Sequence, residues 1–279
     1  MSFEDLLESK IDRIEKSDVR EAMRYSLMAG GKRIRPNLLY AAADGYKVDR
    51  TYVDDFACAM EMIHTYSLIH DDLPAMDDDD LRRGRPTCHK QFDEATAILA
   101  GDGLLTYAFE TACSSAAPAD RVIKSIRILA SMAGPDGMVL GQCLDIEEGE
   151  SNIDWTALKK IHANKTGCLL SAPLMIAAVL AGCNEETVEE WHEVGTMLGL
   201  AFQIQDDILD VELTAEEFGK SNSDARNEKV TSVTLLGMER AKETMQQLYR
   251  DSSERIGKFK GFDDSKMLTL VDSIATRRK

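Results

Sequence analysis

The sequence predicts an all-α protein, a single domain built as a helical bundle. Helical periodicity of apolar residues runs through almost the whole chain, and no clear run of alternating apolar and polar residues indicates a strand. Turns rich in Gly and Pro separate the helical stretches, and no polar linker or fixed-period repeat divides residues 1–279. These three observations favour one bundle over a solenoid or a mixed sheet.

Apolar periodicity also places the individual helices. The predicted helices cover 18–29, 36–44, 52–72, 91–114, 120–133, 155–182, 186–213 and 229–251. The most apolar segment, 167–182, is shorter than the roughly 20 residues that a membrane span needs. We therefore predict a buried core helix there and no membrane span.

Charge and cysteine usage narrow the class of protein. Asp and Glu number 49 against 33 Lys and Arg, which gives a net charge of −16. Such an acidic chain is poorly suited to nucleic acid or to an anionic membrane surface, so neither is expected as a partner. The six cysteines include no CxxC pair, and the N-terminus shows no secretory signal. A reducing, cytoplasmic location is expected.

A first acidic cluster follows the predicted helix 52–72. Its aspartates are Asp71, Asp72 and the run 77–80, and Pro74 forbids a regular helix between them. Carboxylates at the negative end of a helix are unfavourable unless they bind cations, and clustered oxygen ligands suit magnesium. A solvated acidic loop is the alternative, whereas the spacing of an EF-hand calcium loop is not met in any register.

A second acidic cluster ends the predicted helix 186–213. Helical spacing puts Gln203, Asp206 and Asp210 on one face, with Asp207 beside them. Carboxylates one turn apart repel each other unless a cation lies between them. An exposed amphipathic helix end is the alternative. If the two acidic helices are neighbours, their ends would form one metal-binding wall.

Basic residues alternate with these acidic clusters along the chain. Arg offers a planar fork for phosphate oxygens and Lys a point charge. Each lone Lys is also a common surface residue, and Gly30-Gly31 is also a common helix C-cap. The candidates are Lys32, Arg33, Arg35, Arg82, Arg83, Arg85, Lys165, Lys220 and Lys229. Carboxylates and cations in alternation are the residue types needed to bind a diphosphate through magnesium.

In these motifs the chain resembles the short-chain trans-isoprenyl diphosphate synthases, and most of all the bacterial-type farnesyl diphosphate synthases. The resemblance extends from about residue 26 to about residue 229. It rests on the first aspartate motif with Arg-Arg-Gly after it, the second DDxxD, the Gly-Lys-x-x-Arg segment and a central Lys-Thr. It implies an isoprenoid synthase fold, a helical bundle around a deep apolar cavity, usually as a homodimer.

The resemblance also implies a role for each matching residue. Asp71, Asp72 and Asp77 would hold two magnesium ions, and Asp206, with Asp207 and Asp210, a third; manganese would substitute. The residues implied to bind the allylic diphosphate are Arg82, Lys165, Lys220 and Lys229. The residues implied to bind isopentenyl diphosphate are Lys32, Arg35, His64 and Arg83. Thr166 and Gln203 would support the reacting centre.

The implied reaction joins isopentenyl diphosphate to dimethylallyl or geranyl diphosphate. In the family the residue five positions before the first aspartate sets the floor of the elongation cavity. Here that residue is Tyr66, followed by Ser67, and an aromatic floor resembles the enzymes that stop at 15 carbons. We therefore expect farnesyl diphosphate, with the 20-carbon geranylgeranyl diphosphate as the alternative product.

Two other classes of protein share part of this pattern. A class I terpene cyclase would carry Ser or Thr and then Glu where this chain has Asp210 and Thr214. A non-catalytic partner subunit tends to lose aspartates, and both motifs are intact here. The segment 219–233 departs from the family, with Ser223 in place of a frequent Gly and without the usual Pro and aromatic residue after Lys229.

Overall fold

A computed structural model describes residues 1–148, 153–217 and 230–277 of the chain. Two compact units make up the protein. The first consists of Met1–Tyr40 with Val48–Ile126, and the second of Ala41–Lys47 with Arg127–Lys279. The assignment of residues 1–279 to a single domain stays a prediction.

The first unit begins with two helices and is centred on a long buried one. Its elements, two of which (α3 and α7) also contribute residues to the second unit, are α1 (Phe3–Ile11), α2 (Asp18–Leu27), α3 (Ile34–Gly45), α4 (Arg50–Asp71), β1 (Leu81–Arg82), β2 (Arg85–Pro86), α5 (Cys88–Gln91), α6 (Glu94–Cys113) and α7 (Ala119–Ala133). Within this unit α4 packs against α6 and α2.

The second unit is helical throughout the part that the structure describes. Its elements are α8 (Met138–Glu148), α9 (Trp155–His162), a π-helical turn (Ala163–Gly167), α10 (Cys168–Ala181), α11 (Glu185–Glu217), α12 (Ser232–Leu236), α13 (Met238–Ile256) and α14 (Ser265–Ala275). The long helix α11 packs against α10 on one side and contacts α13.

Helix α4 carries the first acidic cluster, and its sequence explains both of its ends. The Asp49 side chain caps its start by accepting from the Thr51 N–H at 2.8 Å. Most of its residues are buried, from Val53 to Ile69, so it is a core helix rather than a surface one. It ends at Asp71 because Pro74 lies just beyond it. The acidic cluster is therefore attached to a buried core helix of its unit.

Helix α10 confirms the predicted core helix at 167–182. Every residue from Cys168 to Leu180 is buried. The continuous helical stretch Trp155–Ala181, which contains α10, is long and apolar enough to cross a membrane. However, 72% of its most apolar 18-residue window is buried inside the protein. Such burial is what a core helix shows, whereas a membrane span would expose its apolar surface to lipid.

The predicted helices are found, with differences where the sequence gives weak signals. The helix predicted at 155–182 contains the π turn, and the one predicted at 229–251 is divided by Gly237, whose φ is 79°. Helices α1, α8 and α14 were not predicted, because their short apolar patterns are interrupted by charged residues. Within the described residues, strands are confined to β1 and β2, two residues each and too short to show an alternating pattern.

Candidate active site

The first aspartate motif lies where α4 ends. Asp72 follows the helix and donates its N–H to the carbonyl oxygen of Leu68 at 3.1 Å. After Pro74 the chain turns back, and the N–H of Asp77 donates to the carbonyl oxygen of Asp71 at 2.8 Å. The four residues between Asp72 and Asp77 therefore form a loop that returns Asp77 to the end of α4.

Asp72 is held by an arginine of the β1–β2 hairpin. Its side chain is buried, and both Nε and Nη2 of Arg82 lie 2.6 Å from its Oδ1. Burial, the largest influence, raises the pKa of Asp72 although Arg82 opposes that shift. Arg82 also reaches Oδ2 of Asp79 at 3.4 Å. The hairpin thus supplies the countercharge that keeps this part of the acidic cluster in place.

Arg83, the next residue of the hairpin, points to a different loop. Its guanidinium group donates a hydrogen bond to the carbonyl oxygen of Gly30 and lies against Gly31, the first residue of the Gly-Lys-x-x-Arg segment. Arg83 and Gly84 both have positive φ angles, 53° and 73°, as the central residues of two-residue hairpin turns often do. The two adjacent arginines therefore point to different places. Arg82 binds the aspartates, and Arg83 contacts the basic segment.

Arg35 adds positive charge near Arg83, and His64 lies within the field of both guanidinium groups. Burial lowers the pKa of Arg35 to about 10, and its Nε is buried without a hydrogen-bond partner. The pKa of His64 lies well below its ordinary value, because of its burial first and then the guanidinium groups of Arg35 and Arg83. The neighbouring guanidinium groups disfavour further positive charge, and the Nε of Arg35 is a buried donor without a hydrogen-bond partner. Such surroundings favour a bound anion.

Tyr66 and Ser67 lie on α4 below the first aspartate motif. Tyr66 is buried, and its ring meets that of His70 edge to face, with 5.8 Å between ring centroids. The hydroxyl of Ser67 donates to the carbonyl oxygen of His64 at 2.9 Å, so it is satisfied by its own helix. Of the two candidate chain-length residues, Tyr66 is therefore the one that can block space with its bulk.

The second aspartate motif lies on α11, in the second unit. Gln203 on this helix accepts a hydrogen bond from the hydroxyl of Thr166 in the π turn, at 2.7 Å. Asp206 receives Nη2 of Arg277 at 2.5 Å, and the same guanidinium group stacks on the Phe202 ring, 3.6 Å from its centroid. The fold therefore brings together Thr166 and Gln203, the two residues that the resemblance implies support the reacting centre.

The neighbouring aspartates of this motif differ in their surroundings. Oδ2 of Asp207 accepts the N–H of Ser232 at 2.7 Å, which ties the start of α12 to α11. The same oxygen lies 3.7 Å from Nε2 of His162, whose nitrogen is buried without a hydrogen-bond partner. Asp210 is exposed, one turn further along the helix. Asp207 is therefore the half-buried member of the motif and Asp210 the exposed one.

Lys165 and Thr166 lie in the π turn between α9 and α10. Such turns are rare and occur frequently at functional sites, where they redirect side chains within a helix. Nζ of Lys165 donates to Oδ2 of Asp145 on α8 at 2.7 Å. Asp145, like Arg277 and His162, was not singled out from the sequence. No local pattern marks these residues, since each meets the candidate site residues only through tertiary contacts.

Helix α8 can approach Lys165 only because residue 141 is glycine. A Cβ atom at Gly141 would lie 2.0 Å from the backbone nitrogen of Lys165. Gly141→Ala is therefore expected to lower the free energy of unfolding by about 2 kcal/mol, since backbone cannot yield as a flexible side chain does. Urea denaturation measures this change.

A matched control for that substitution is Gly167→Ala, at the end of the same π turn. There the nearest atom to an added Cβ atom is the His162 carbonyl oxygen at 3.5 Å, an ordinary contact. The control should change the free energy of unfolding by less than about 1 kcal/mol. An equal decrease in the free energy of unfolding in both variants would show that α8 does not pack tightly against Lys165.

The donor chemistry of both motifs fits magnesium. Among the residues that the structure describes, no three His, Cys, Asp or Glu side chains converge closely enough to hold a metal ion. Magnesium does not require such a cage, because it retains waters and usually completes its shell with substrate phosphates. Manganese accepts the same oxygen ligands. Carboxylate oxygens beside a cation-rich cluster are thus suited to a metal ion that arrives with a phosphate ligand.

Two of the predicted site residues, Lys220 and Lys229, lie outside the described residues. The others divide between the units. The first unit contains Lys32, Arg35, His64, Tyr66, Ser67, Asp71, Asp72, Asp77, Arg82 and Arg83. The second contains Lys165, Thr166, Gln203, Asp206, Asp207 and Asp210. Each unit therefore holds one aspartate motif together with basic residues.

A helical fold in which one helix ends at an aspartate motif and another carries a second one, with arginines and lysines nearby, is typical of metal-dependent enzymes that act on diphosphates. The family model for polyprenyl synthetases matches residues 16–262. The farnesyl diphosphate synthase of Micrococcus luteus is 43% identical over 265 residues, which is 95% of this chain and 91% of the relative. This chain therefore belongs to the polyprenyl synthetase family, and the predicted family and enzyme class are confirmed.

Relatives with a different product name are equally similar. Geranylgeranyl pyrophosphate synthase 7 of Arabidopsis thaliana, a chloroplastic protein, is 42% identical over 282 residues, covering 98% of this chain and 80% of the relative. A crystal structure of a geranyltransferase from Helicobacter pylori, complexed with magnesium and isoprenyl diphosphate, matches with a TM-score of 0.82 and 32% identity. It covers 98% of this chain and 94% of that chain. The predicted fold class is thereby confirmed.

Proposed function

We propose that this chain condenses isopentenyl diphosphate with dimethylallyl and then geranyl diphosphate, releasing diphosphate and giving farnesyl diphosphate. The observation that carries the proposal is the β1–β2 hairpin. Arg82 contacts the first aspartate motif, and Arg83 lies against Gly31, the first residue of the Gly-Lys-x-x-Arg segment. This hairpin thus connects the aspartates that suit a metal ion with the basic segment that suits an anion. Two diphosphate substrates, one bound through magnesium and one bound directly, require both.

The chain's own residues divide the binding of the two substrates. Lys32, Arg35, His64 and Arg83 bind the diphosphate of the isopentenyl substrate, with the unpaired Nε of Arg35 as one donor. Arg82, Lys165, Lys220 and Lys229 bind the allylic diphosphate. Asp71, Asp72 and Asp77 hold two magnesium ions, and Asp206, Asp207 and Asp210 a third. Magnesium, when bound, supplies positive charge that neutralises the departing diphosphate.

The protein accelerates the reaction by placing cationic side chains and dipoles where charge develops. Arg82 and Lys165 offset the negative charge that develops on the departing diphosphate when the allylic C–O bond breaks. Oxygen dipoles of the Thr166–Gln203 pair can face the allylic cation without reacting with it. Apolar helices such as α4 exclude water, which would quench that cation. The departing diphosphate takes the proton that is lost after the new C–C bond forms, so no protein base is required.

Location and assembly follow from the same proposal. The enzyme acts in the cytoplasm as a homodimer. Exposed apolar residues on α6, Ile98 and Leu99, are 44% and 53% accessible in the isolated chain and suit a helix face that a second copy covers. Size-exclusion chromatography with light scattering measures the assembly directly.

Product analysis tests the proposed function. The purified chain is incubated with magnesium and labelled isopentenyl diphosphate, and with allylic diphosphates of five, ten or fifteen carbons in separate tubes. A 15-carbon product, with the 15-carbon primer left unextended and all turnover lost in EDTA, is the expected result. A 20-carbon product would instead favour geranylgeranyl diphosphate synthesis. Absence of condensation with every primer would overturn the catalytic proposal and favour a non-catalytic partner subunit.

A further inference from the structure

Arg33 lies between two residues proposed to bind isopentenyl diphosphate, yet it faces the interior. Its flanking residues Lys32 and Arg35 belong to the Gly-Lys-x-x-Arg segment, and Lys32 is exposed. The Arg33 side chain is only 7% accessible. A buried arginine between binding residues has a task other than contacting the substrate itself.

Three separate elements bind the Arg33 guanidinium group. Nε and Nη2 donate to the two carboxylate oxygens of Glu4 on α1, at 2.9 and 3.0 Å. Nη1 donates to Oε1 of Glu61 on α4 at 2.6 Å, and Nη2 also reaches the carbonyl oxygen of Leu27 at the end of α2, at 2.8 Å. We call Arg33, Glu4, Glu61 and the Leu27 carbonyl the arginine anchor.

Charge and burial make the arginine anchor specific for arginine. The Glu61 side chain is 2% accessible, so its carboxylate depends on a buried countercharge. Burial, the largest influence, lowers the pKa of Arg33, but the hydrogen bonds to Glu4 and the charge of Glu61 more than offset it, and the pKa is raised. The planar fork of arginine reaches two carboxylates and a carbonyl at once, which the single ammonium group of lysine does not.

The backbone at Arg33 shows what the arginine anchor holds in place. Its φ is 48°, in the left-handed region that non-glycine residues adopt only when surrounding contacts impose it. Its carbonyl oxygen accepts the N–H of Asn37 at 2.9 Å, so α3 begins directly after it. The left-handed residue therefore fixes where α3 starts, and with it the direction of Arg35 and Lys32 on either side.

We infer that Arg33 is a positioning residue for the isopentenyl diphosphate site. The arginine anchor holds the backbone conformation that presents Lys32 and Arg35 to the same diphosphate, and it links the N-terminal helix α1 to that site through Glu4. This inference rests on the proposed function and assigns Arg33, Glu4 and Glu61 a place in it without contact with substrate.

The test compares variants of the arginine anchor with a matched buried arginine. Arg33→Gln alone leaves Glu61 buried without a partner and can fail to fold, so the double variant Arg33→Gln with Glu61→Gln removes both charges together. Glu4→Gln weakens the arginine anchor from its accessible side. The control is Arg20→Gln, because Arg20 is also 7% accessible but forms its ion pairs with Asp12, just after α1, and with Glu21.

The apparent KM values for the two substrates give the decisive readout. In the double variant the KM for isopentenyl diphosphate should rise at least about tenfold, while the KM for geranyl diphosphate stays within about twofold. Glu4→Gln should shift the same constant in the same direction by a smaller factor. Arg20→Gln should lower Tm and leave both constants unchanged. Equal changes in both KM values, or a loss of Tm alone, would overturn the inference.

Calorimetry with isopentenyl diphosphate alone separates this inference from the proposed function. Isopentenyl diphosphate cannot react without an allylic partner, so its binding is measured without turnover. Binding by the wild-type protein that weakens in the double variant supports the arginine anchor even if no condensation occurs. Turnover by the wild-type protein with unchanged binding in the double variant would reject the arginine anchor and retain the proposed function.

Discussion

Asp71→Asn is expected to lower kcat for condensation by at least about a thousandfold, the effect of removing roughly 4 kcal/mol of transition-state stabilisation. Asp71 is the last residue of α4, and the Asp77 N–H is bonded to its carbonyl oxygen. Asparagine keeps the size and the backbone of this residue but lacks the negative charge that holds a hard cation. Steady-state assays with saturating magnesium and both substrates measure the loss.

Folding should survive this substitution, which separates chemistry from stability. A carboxylate at the C-terminal end of a helix is unfavourable, so removing its charge should leave Tm unchanged or slightly raised. Asp78→Asn is the matched control, because Asp78 is exposed in the same loop and has a φ of 49°, a conformation that asparagine tolerates. The control should retain activity within about threefold. Loss of activity in both variants alike would show that loop charge in general, rather than Asp71, is required.

The helix that carries Asp71 could be predicted from the sequence, because its causes are local. A long apolar run predicts α4, and Pro74 fixes its end within a few residues. The same holds for α10, whose apolar residues are continuous. Residues at the ends of such helices could be recognised as candidates for metal binding, since carboxylates there need a cation.

Features that depend on distant residues could not be predicted in this way. The Asp206–Arg277 pair joins residues 71 positions apart, and the Thr166–Gln203 bond residues 37 apart. The π turn at 163–167 has no sequence mark, because it arises from packing against α8 and α11. The interior position of Arg33 was also hidden, since a basic cluster in the sequence does not show which of its members turn inward.

Tyr66→Ala is expected to shift the product from 15 to 20 carbons. Tyr66 lies five residues before Asp71 on α4, which at 1.5 Å per residue places it about 7.5 Å below the first aspartate. Burial and then the charge of Asp71 raise its pKa to about 12, so the phenol stays neutral in the assay and acts by its bulk. Its ring and hydroxyl fill a space comparable to one five-carbon unit, and their removal opens room for one more condensation. Chromatography of dephosphorylated products measures the chain length.

His70 and α6 pack behind Tyr66, so the change in product length should come from the loss of the Tyr66 side chain itself. The His70 ring packs edge to face on Tyr66, and its Nε2 lies 3.1 Å from the Ile98 carbonyl oxygen of α6. α6 comes close because residue 101 is glycine, where a Cβ atom would lie 2.1 Å from His70 Nε2. Tyr66→Phe keeps the ring and should keep the 15-carbon product. Twenty-carbon product from Tyr66→Phe, or unchanged product from Tyr66→Ala, would place the floor of the cavity at another residue.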